Sequence, residues 1–241
     1  MSPDPRHDLD LVRTSADQLV HDVQLLSADQ LAEPSLLPGW SRAHVVSHLV
    51  GNAAGLTRLL EWAHTGVVTY QYADIEAREA SIQAGVGQPA GALATQLRET
   101  TDALLGVAEQ LTEEQWQSSV RLGAGGQGRE LAAAEVPWRR LVEQEVHNVD
   151  LAGAYTPAHW SPEFVHRLLA EVTDLYLTRS DIPALTLDAL DGDWSAGSGD
   201  PAQAVHVEGP SPALLAWLTG RSSGEGLHVH PGPLPTLPPW F

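Results

Sequence analysis

The 241-residue chain contains no cysteine, which excludes a thiol nucleophile, a cysteine-ligated zinc site and an iron–sulfur cluster. Lysine is also absent, because all 13 basic residues are arginine, and this excludes Schiff-base catalysis and a P-loop lysine. Any thiol chemistry must therefore use a thiol that is supplied from outside the chain.

Basic residues are scarce beside 31 Asp and Glu, so the formal net charge is −18 at pH 7. An acidic surface repels phosphate backbones and anionic lipid headgroups, and we expect neither a nucleic-acid nor a membrane partner. The N-terminal segment lacks a basic-then-apolar signal pattern, and no apolar run approaches the roughly 18 residues that span a bilayer. We therefore expect a cytoplasmic protein.

The spacing of apolar residues predicts long helices over residues 8–31, 41–64, 89–111 and 137–151. Four helices of this length favour a helical bundle. After a change in composition near residue 155, short strand-like runs alternate with Gly, Asp and Pro turns. We therefore predict an α+β protein of two domains, a four-helix bundle at 1–155 and a small α+β domain at 156–241.

His48 and Asn52 lie one turn apart on the apolar arc of helix 41–64, so both are expected to point toward the core. A buried polar group without a partner costs about 1–3 kcal/mol, and each residue therefore needs one. His48 is then either a core histidine bonded to a carbonyl group or a metal ligand. His44, one turn earlier, is a further candidate ligand.

Glu143 and His147 lie four residues apart on the last helix of the bundle, so their side chains stack and can bind the same ion. Val142 and Val146 share this face, which indicates that it points inward, although a solvated Glu–His pair is the alternative. Asp150 is placed to orient His147. Two histidines and one glutamate leave a fourth position open, as is typical of a catalytic zinc site.

Three segments of the chain carry a family resemblance. They are LLPGWSRAHVVSHLVGNAAGLTRLLEWAHTG, the run EQEVH with the following NVDL, and TGR at 219–221. With these segments the chain resembles the DinB-like four-helix metalloproteins and, more narrowly, the mycothiol-dependent maleylpyruvate isomerases. The resemblance implies that His48, Glu143 and His147 bind the metal, and that Arg221 of the second domain is a catalytic residue.

The resemblance also implies the reaction, a cis–trans isomerisation of maleylpyruvate, or a related cis-enoyl dicarboxylate, to fumarylpyruvate. Mycothiol would add to the double bond, permit rotation and leave again. The cofactors implied are mycothiol and zinc, or another divalent metal, which lowers the pKa of the thiol. We expect a monomer whose partners are the small thiol and a small dicarboxylate.

Substrate carboxylates favour arginine, because the planar guanidinium group can bind them bidentately. Arg221 and Arg140 are the main candidates for binding substrate or thiol, and Arg78 is a weaker one. For Arg140, an i,i+3 ion pair with Glu143 is the alternative.

Two other functions stay open at this point. A mycothiol S-transferase would keep the metal but join the thiol permanently to an electrophile, and a non-catalytic DinB-like module would only bind. The GAGGQG run at 123–128 formally fits a dinucleotide motif, but the helices predicted around it do not form a βαβ unit. His206, His228 and His230 form either a surface metal site or, as we expect, a solvated sheet face.

Overall fold

Four long helices of the first part of the chain pack around one apolar core. The computed structural model describes residues 4–198, 200 and 202–240, and the chain divides into two compact units, Met1–Ala154 and Tyr155–Phe241. The predicted limits of 155 and 156 differ from this division by one residue. No helix in the described part of the chain is long and apolar enough to cross a membrane.

The first unit contains seven α-helices within its described residues. They are α1 Pro5–Gln24, α2 Ala28–Ala32, α3 Arg42–Thr65, α4 Ile75–Gln83, α5 Ala90–Ala108, α6 Glu113–Trp116 and α7 Val136–Asp150. A hairpin of β1 Ser119–Arg121 and β2 Glu130–Ala132 precedes α7. The bundle consists of α1, α3, α5 and α7, in which α1 and α3 each pack against both α5 and α7.

Local sequence signals explain where the bundle helices begin and end. Asp4 begins α1 by accepting a hydrogen bond from the His7 backbone N–H at 3.2 Å. Gly66 ends α3 in the left-handed conformation, with φ of +76°, which glycine adopts without steric cost. The four-helix bundle predicted for the N-terminal domain is confirmed.

The expectation of one helix over residues 8–31 is wrong, because a new helix begins at Ser27. The Ser27 hydroxyl accepts from the Gln30 N–H at 3.2 Å, and the Gln30 side chain accepts from the Ser27 N–H at 2.9 Å. This reciprocal capping box ends the first helix and starts α2.

The side of α3 that carries Ser47, Gly51 and Gly55 consists of small residues at a spacing of one turn. A Cβ atom on Gly51 would lie 2.8 Å from Ser81 Oγ, and one on Gly55 would lie 2.9 Å from the Gln71 carbonyl oxygen. The Ser47 hydroxyl donates to the Ser81 carbonyl at 3.0 Å. Small residues therefore let α4 and the segment before it lie directly against α3, beside the stripe that contains His48.

Within its described residues, the second unit is a four-stranded sheet with two α-helices, and this confirms the predicted two-domain α+β class. Its elements are α8 Pro162–Leu177, β3 Leu185–Ala189, β4 Ser195–Ser198, β5 Val205–Gly209, α9 Ser211–Leu218 and β6 His228–His230. The strand order is β4-β3-β5-β6, with β3 and β5 parallel and the other neighbours antiparallel. The sequence did not predict β4, since its SAGS run lacks the β-branched and aromatic residues that favour strands.

We predict that Gly55→Ala lowers the free energy of unfolding by about 1–3 kcal/mol, because the new methyl group meets the Gln71 backbone. Gly91→Ala is the matched control, since nothing lies within 4 Å of a Cβ atom at Gly91. Alanine there should leave stability unchanged or raise it by up to about 1 kcal/mol through helix propensity. Urea unfolding followed by far-UV circular dichroism measures both, and equal effects at the two positions would contradict the close packing.

Candidate metal centre

Helices α3 and α7 bring three potential metal ligands to one point. His48 comes from α3, and Glu143 and His147 come from successive turns of α7. One ligand atom from each residue lies within 4.8 Å of those of the other two. Glu143 Oε2 lies 2.9 Å from His48 Nε2 and 3.2 Å from His147 Nε2. The carboxylate is thus the centre of a three-residue cluster that joins two helices.

His147 is oriented from behind by a buried carboxylate. Its Nδ1 lies 2.7 Å from Asp150 Oδ2, and Asp150 is fully buried. A proton on Nδ1 donates to Asp150, and the Nε2 atom faces the Glu143 carboxylate. Carboxylates behind histidine ligands fix ring orientation in many metal sites. The sequence spacing had suggested this contact.

His48 is held mainly by ring packing. Its ring centroid lies 5.6 Å from that of Trp40, and 4.9 Å from that of His147 in an edge-to-face arrangement. Within the described part of the chain, its buried Nδ1 has no hydrogen-bond partner. The His48 Nε2 atom is therefore directed at Glu143 by shape rather than by a second hydrogen bond.

The cluster opens to solvent at Glu143. The side chains of both histidines are 7% exposed, whereas that of Glu143 is 31% exposed. An external ligand can thus approach on the carboxylate side, while the imidazoles stay packed in the bundle.

The protonation states of Glu143 and His48 suit a cation site. Burial alone would raise the pKa of the Glu143 carboxyl, but hydrogen bonds with His147 and His48 outweigh it and hold this pKa well below its usual value. For His48, burial outweighs the bond to Glu143 and lowers the pKa. The first residue is therefore an anion and the second a neutral imidazole near neutral pH.

His147 differs from His48 in its balance of charges. Burial lowers its pKa, but hydrogen bonds with Asp150 and Glu143 outweigh burial, and the net effect raises it. The raised pKa means that His147 keeps a second proton, on the Nε2 atom that faces Glu143, to a higher pH. A metal ion that binds Nε2 must displace this proton, so metal affinity is expected to fall as the pH decreases.

His44 does not belong to the cluster. It lies in the first turn of α3, where its Nδ1 accepts from the Ser41 N–H at 3.2 Å and lies 2.8 Å from the Ser41 hydroxyl oxygen. The residue therefore caps the helix, which explains its spacing from His48 without a metal.

Arg140 is fully buried between the two helices that carry the ligands. Its Nη1 donates to the Leu49 carbonyl at 2.9 Å and to Asn52 Oδ1 at 3.0 Å, and these bonds also explain the polar Asn52 on an apolar arc. Burial lowers its pKa to about 10, which still leaves a cation at neutral pH. The i,i+3 ion pair with Glu143, which the sequence left as the alternative to binding of substrate or thiol by Arg140, is not formed between these two described residues.

Tyr72 is a residue of this region that sequence reasoning missed. Its side chain is 6% exposed, and burial together with the charge of Glu143 raises its pKa to about 12. The tyrosine is therefore a neutral hydroxyl group near an anionic carboxylate. No spacing rule connects it with residues on α3 or α7, because it lies in the segment between α3 and α4.

The glycine-rich run holds that segment in place. Residues 123–128 lie in the loop of the β1–β2 hairpin, so strands flank the loop on both sides, and the expectation of flanking helices is wrong. The Gly123 N–H donates to Gln71 Oε1 at 2.8 Å, and the Gly125 N–H donates to the Tyr72 carbonyl at 2.9 Å. The loop thus supports Tyr72 and is not a dinucleotide motif.

Arg221 lies in the second unit, just after α9. Its N–H donates to the Ala216 carbonyl at 2.7 Å, and its Nη1 donates to the Thr219 carbonyl at 2.6 Å. These contacts are typical of a basic residue at a helix C-terminus. Its catalytic role stays a prediction.

Three histidines of the second unit, His206, His228 and His230, lie on two neighbouring strands. His206 pairs across the sheet with His230, and its Nε2 lies 2.5 Å from Asp188 Oδ2. Side chains of His228 and His230 are exposed. Among the described residues, these histidines belong to no group of three ligands with closely spaced atoms.

A four-helix bundle that presents two histidines and a glutamate from facing helices defines a class of metal-binding bundle proteins. Within this class, the sequence model of the mycothiol maleylpyruvate isomerase N-terminal domain matches residues 12–152. This match covers more than half of the chain, and the chain belongs to that family.

Solved structures agree with this assignment. A crystal structure of the mycothiol-dependent maleylpyruvate isomerase has 27% sequence identity and a TM-score of 0.90, with 100% of both chains covered. A histidine-to-alanine mutant of the same enzyme has 26% identity and a TM-score of 0.90, also with 100% of both chains covered. No curated protein sequence is significantly similar to the chain.

We predict that the purified protein binds about one divalent ion, and that Glu143→Ala removes it because only two imidazoles remain. Asp150→Asn should weaken zinc binding by about 10–100-fold, since His147 loses its orienting carboxylate. Asp188→Asn is the matched control, because Asp188 contacts a histidine that belongs to no such cluster. Metal analysis after dialysis against a graded zinc chelator measures all three, and full occupancy of Glu143→Ala would refute the ligand set.

Proposed function

We propose that this chain is a thiol-dependent cis–trans isomerase that converts maleylpyruvate, or a related cis-enoyl dicarboxylate, to fumarylpyruvate with mycothiol as cofactor. One observation carries the proposal: a His–Glu–His cluster that opens to solvent at Glu143, in a chain that belongs to the isomerase family. The absence of cysteine agrees with it, since the reacting thiol then comes from the cofactor.

The residues of the cluster fit a divalent cation, for which we propose zinc. Two imidazole nitrogens and one carboxylate oxygen are ordinary zinc donors, and a three-residue set leaves a position for an external ligand. Asp150 behind His147 is the orienting group that such sites use. A divalent ion bound there would act as a Lewis acid that lowers the pKa of an incoming thiol.

The chemistry proposed consumes no thiol. The thiolate forms a C–S bond to one alkene carbon, and the π electrons move into the adjoining carbonyl group as an enolate. Rotation about the new single bond follows. The enolate electrons then rebuild the double bond in the trans arrangement and expel the thiolate, so that atoms and charge balance.

The side chains of the bundle have separate tasks in this proposal. His48 and His147 would bind the cation from the packed interior. Glu143 would bind it on the solvent-exposed side, where a thiol can approach. Arg140 acts as a positioning residue: its bonds to Leu49 and Asn52 join α3 to α7 beside the ligands. Direct binding of substrate or thiol by Arg140, predicted from sequence, finds no support in its complete burial.

Product analysis tests the proposal most simply. Zinc-loaded protein with mycothiol and maleylpyruvate should yield fumarylpyruvate, and free mycothiol should be recovered in full. A stable thiol adduct would instead indicate the S-transferase, and no product of either kind would indicate a binding module. The control is chelated protein, which should lose activity yet keep its helical circular dichroism, because the bundle core is apolar.

Arg221 is proposed, from the family resemblance, to bind an anionic group of the substrate. We predict that Arg221→Ala keeps fold and metal but lowers kcat/KM by roughly 30-fold or more, as is usual when a buried charge pair loses one partner. Lysine should restore little, since a point charge does not reproduce the planar guanidinium.

The matched control for Arg221 is Arg179→Ala, which removes a surface ion pair with Asp181 in the same unit. Steady-state kinetics that place Arg221→Ala within threefold of the unmodified enzyme would favour a role at the end of α9 alone. The cytoplasmic location and the monomeric state stay predictions.

A further inference from the structure

We propose that Arg78 and Tyr72 form a carboxylate-binding subsite beside the metal centre. The proposal rests on the function proposed above and names the residues of the bundle that would recognise a carboxylate of the substrate. Both residues belong to the first unit, as do the three metal ligands.

The packing of α4 against α3 determines where Arg78 lies. Ser47, the neighbour of His48, donates its hydroxyl hydrogen bond to the Ser81 carbonyl at 3.0 Å. Ser81 lies one turn after Arg78, and its hydroxyl donates to the Arg78 carbonyl at 2.7 Å. The last turn of α4, which follows Arg78, is therefore held against the turn of α3 that carries the metal ligand.

The segment that carries Tyr72 is fixed against the same side of α3, about two turns after His48. Its carbonyl accepts the Gly125 N–H at 2.9 Å, and the preceding Gln71 packs against Gly55 so closely that no Cβ atom fits there. The Tyr72 side chain is buried, and Arg78 and Glu143 are among the charged groups that act on it. A tyrosine hydroxyl keeps its proton at neutral pH, and the raised pKa of about 12 is consistent with this, so the Tyr72 hydroxyl can donate a hydrogen bond.

Arg78 is a half-buried cation without a protein counter-ion. Within residues 4–198, 200 and 202–240, no side chain forms an ion pair or hydrogen bond with its guanidinium, although the chain contains 31 acidic residues. Other arginines of the first unit pair with carboxylates at Glu113, Asp10, Glu33, Asp17, Glu130 and Glu135. Arg58 and Arg140 also lack a carboxylate partner, but their guanidinium groups donate to the Gln71 and Leu49 carbonyl oxygens. Arg78 differs from both, because no described group accepts a hydrogen bond from its guanidinium.

The guanidinium of Arg78 lies close enough to act electrostatically on both His48 and Tyr72. A divalent ion at the cluster would repel this guanidinium. A substrate carboxylate between the guanidinium and the metal centre would offset both charges, and it would accept hydrogen bonds from Arg78 and from the Tyr72 hydroxyl.

The test measures binding of maleate, a stable dicarboxylate probe, to the zinc-loaded protein by isothermal titration calorimetry. Arg78→Ala should weaken maleate binding by about tenfold or more, because a charge-assisted bidentate contact is lost. Arg78→Lys should fall between this variant and the unmodified protein, and Tyr72→Phe should weaken binding by about threefold or more. Zinc content should stay the same in all of them.

Arg98→Ala is the matched control, because Arg98 is an exposed arginine of the same unit that pairs with Asp17. It should bind maleate within twofold of the unmodified protein. The proposal is overturned if Arg78→Ala and Arg78→Lys, folded and zinc-loaded, also bind within twofold. It is equally overturned if the unmodified protein does not bind maleate at all.

This experiment separates the subsite from the proposed reaction, because it needs no turnover. Maleate binding that depends on Arg78, without production of fumarylpyruvate, would support the subsite and refute the isomerase. Normal isomerisation by Arg78→Ala with an unchanged KM would leave the isomerase intact and refute the subsite.

Discussion

One carboxylate between two imidazoles of facing helices is the arrangement on which the site depends. Glu143 contacts His48 on α3 and His147 on its own helix α7, so any shift of one helix along the other separates His48 from the other two residues. The bundle core has to hold this register before the cluster can bind a cation. Arg140, which bridges α7 to Leu49 and Asn52 of α3, stabilises the register one turn from the ligands.

The same register explains why so many polar groups are buried around the cluster. Asp150, Asn52 and Arg140 are each nearly or fully inaccessible, and each contacts a ligand or joins the ligand helices. Hydrogen bonds offset the cost of burying polar groups, and those made by Asp150, Asn52 and Arg140 Nη1 fix one arrangement of the core. Apolar packing supplies stability, while these polar contacts determine the geometry of the site.

The sequence predicted what depends on local spacing and missed what depends on distant contacts. Helical periodicity alone places Glu143 and His147 on one face of α7, because they lie four residues apart. It also places His48 on the apolar face of α3. The break at Ser27 and the hairpin before α7 were missed since capping and pairing outweigh periodicity there. Tyr72 could not be predicted, because its position depends on hydrogen bonds from a loop about 50 residues away in the sequence, at Gly125.

The central claim is that the His–Glu–His cluster binds an ion with a position open to an external thiol. X-ray absorption at the zinc edge tests it directly, because the chain has no cysteine to contribute sulfur. Zinc-loaded protein should show only nitrogen and oxygen neighbours at about 2.0–2.2 Å, and added mycothiol should introduce one sulfur neighbour at about 2.3 Å. A spectrum that stays free of sulfur at saturating mycothiol would contradict the account.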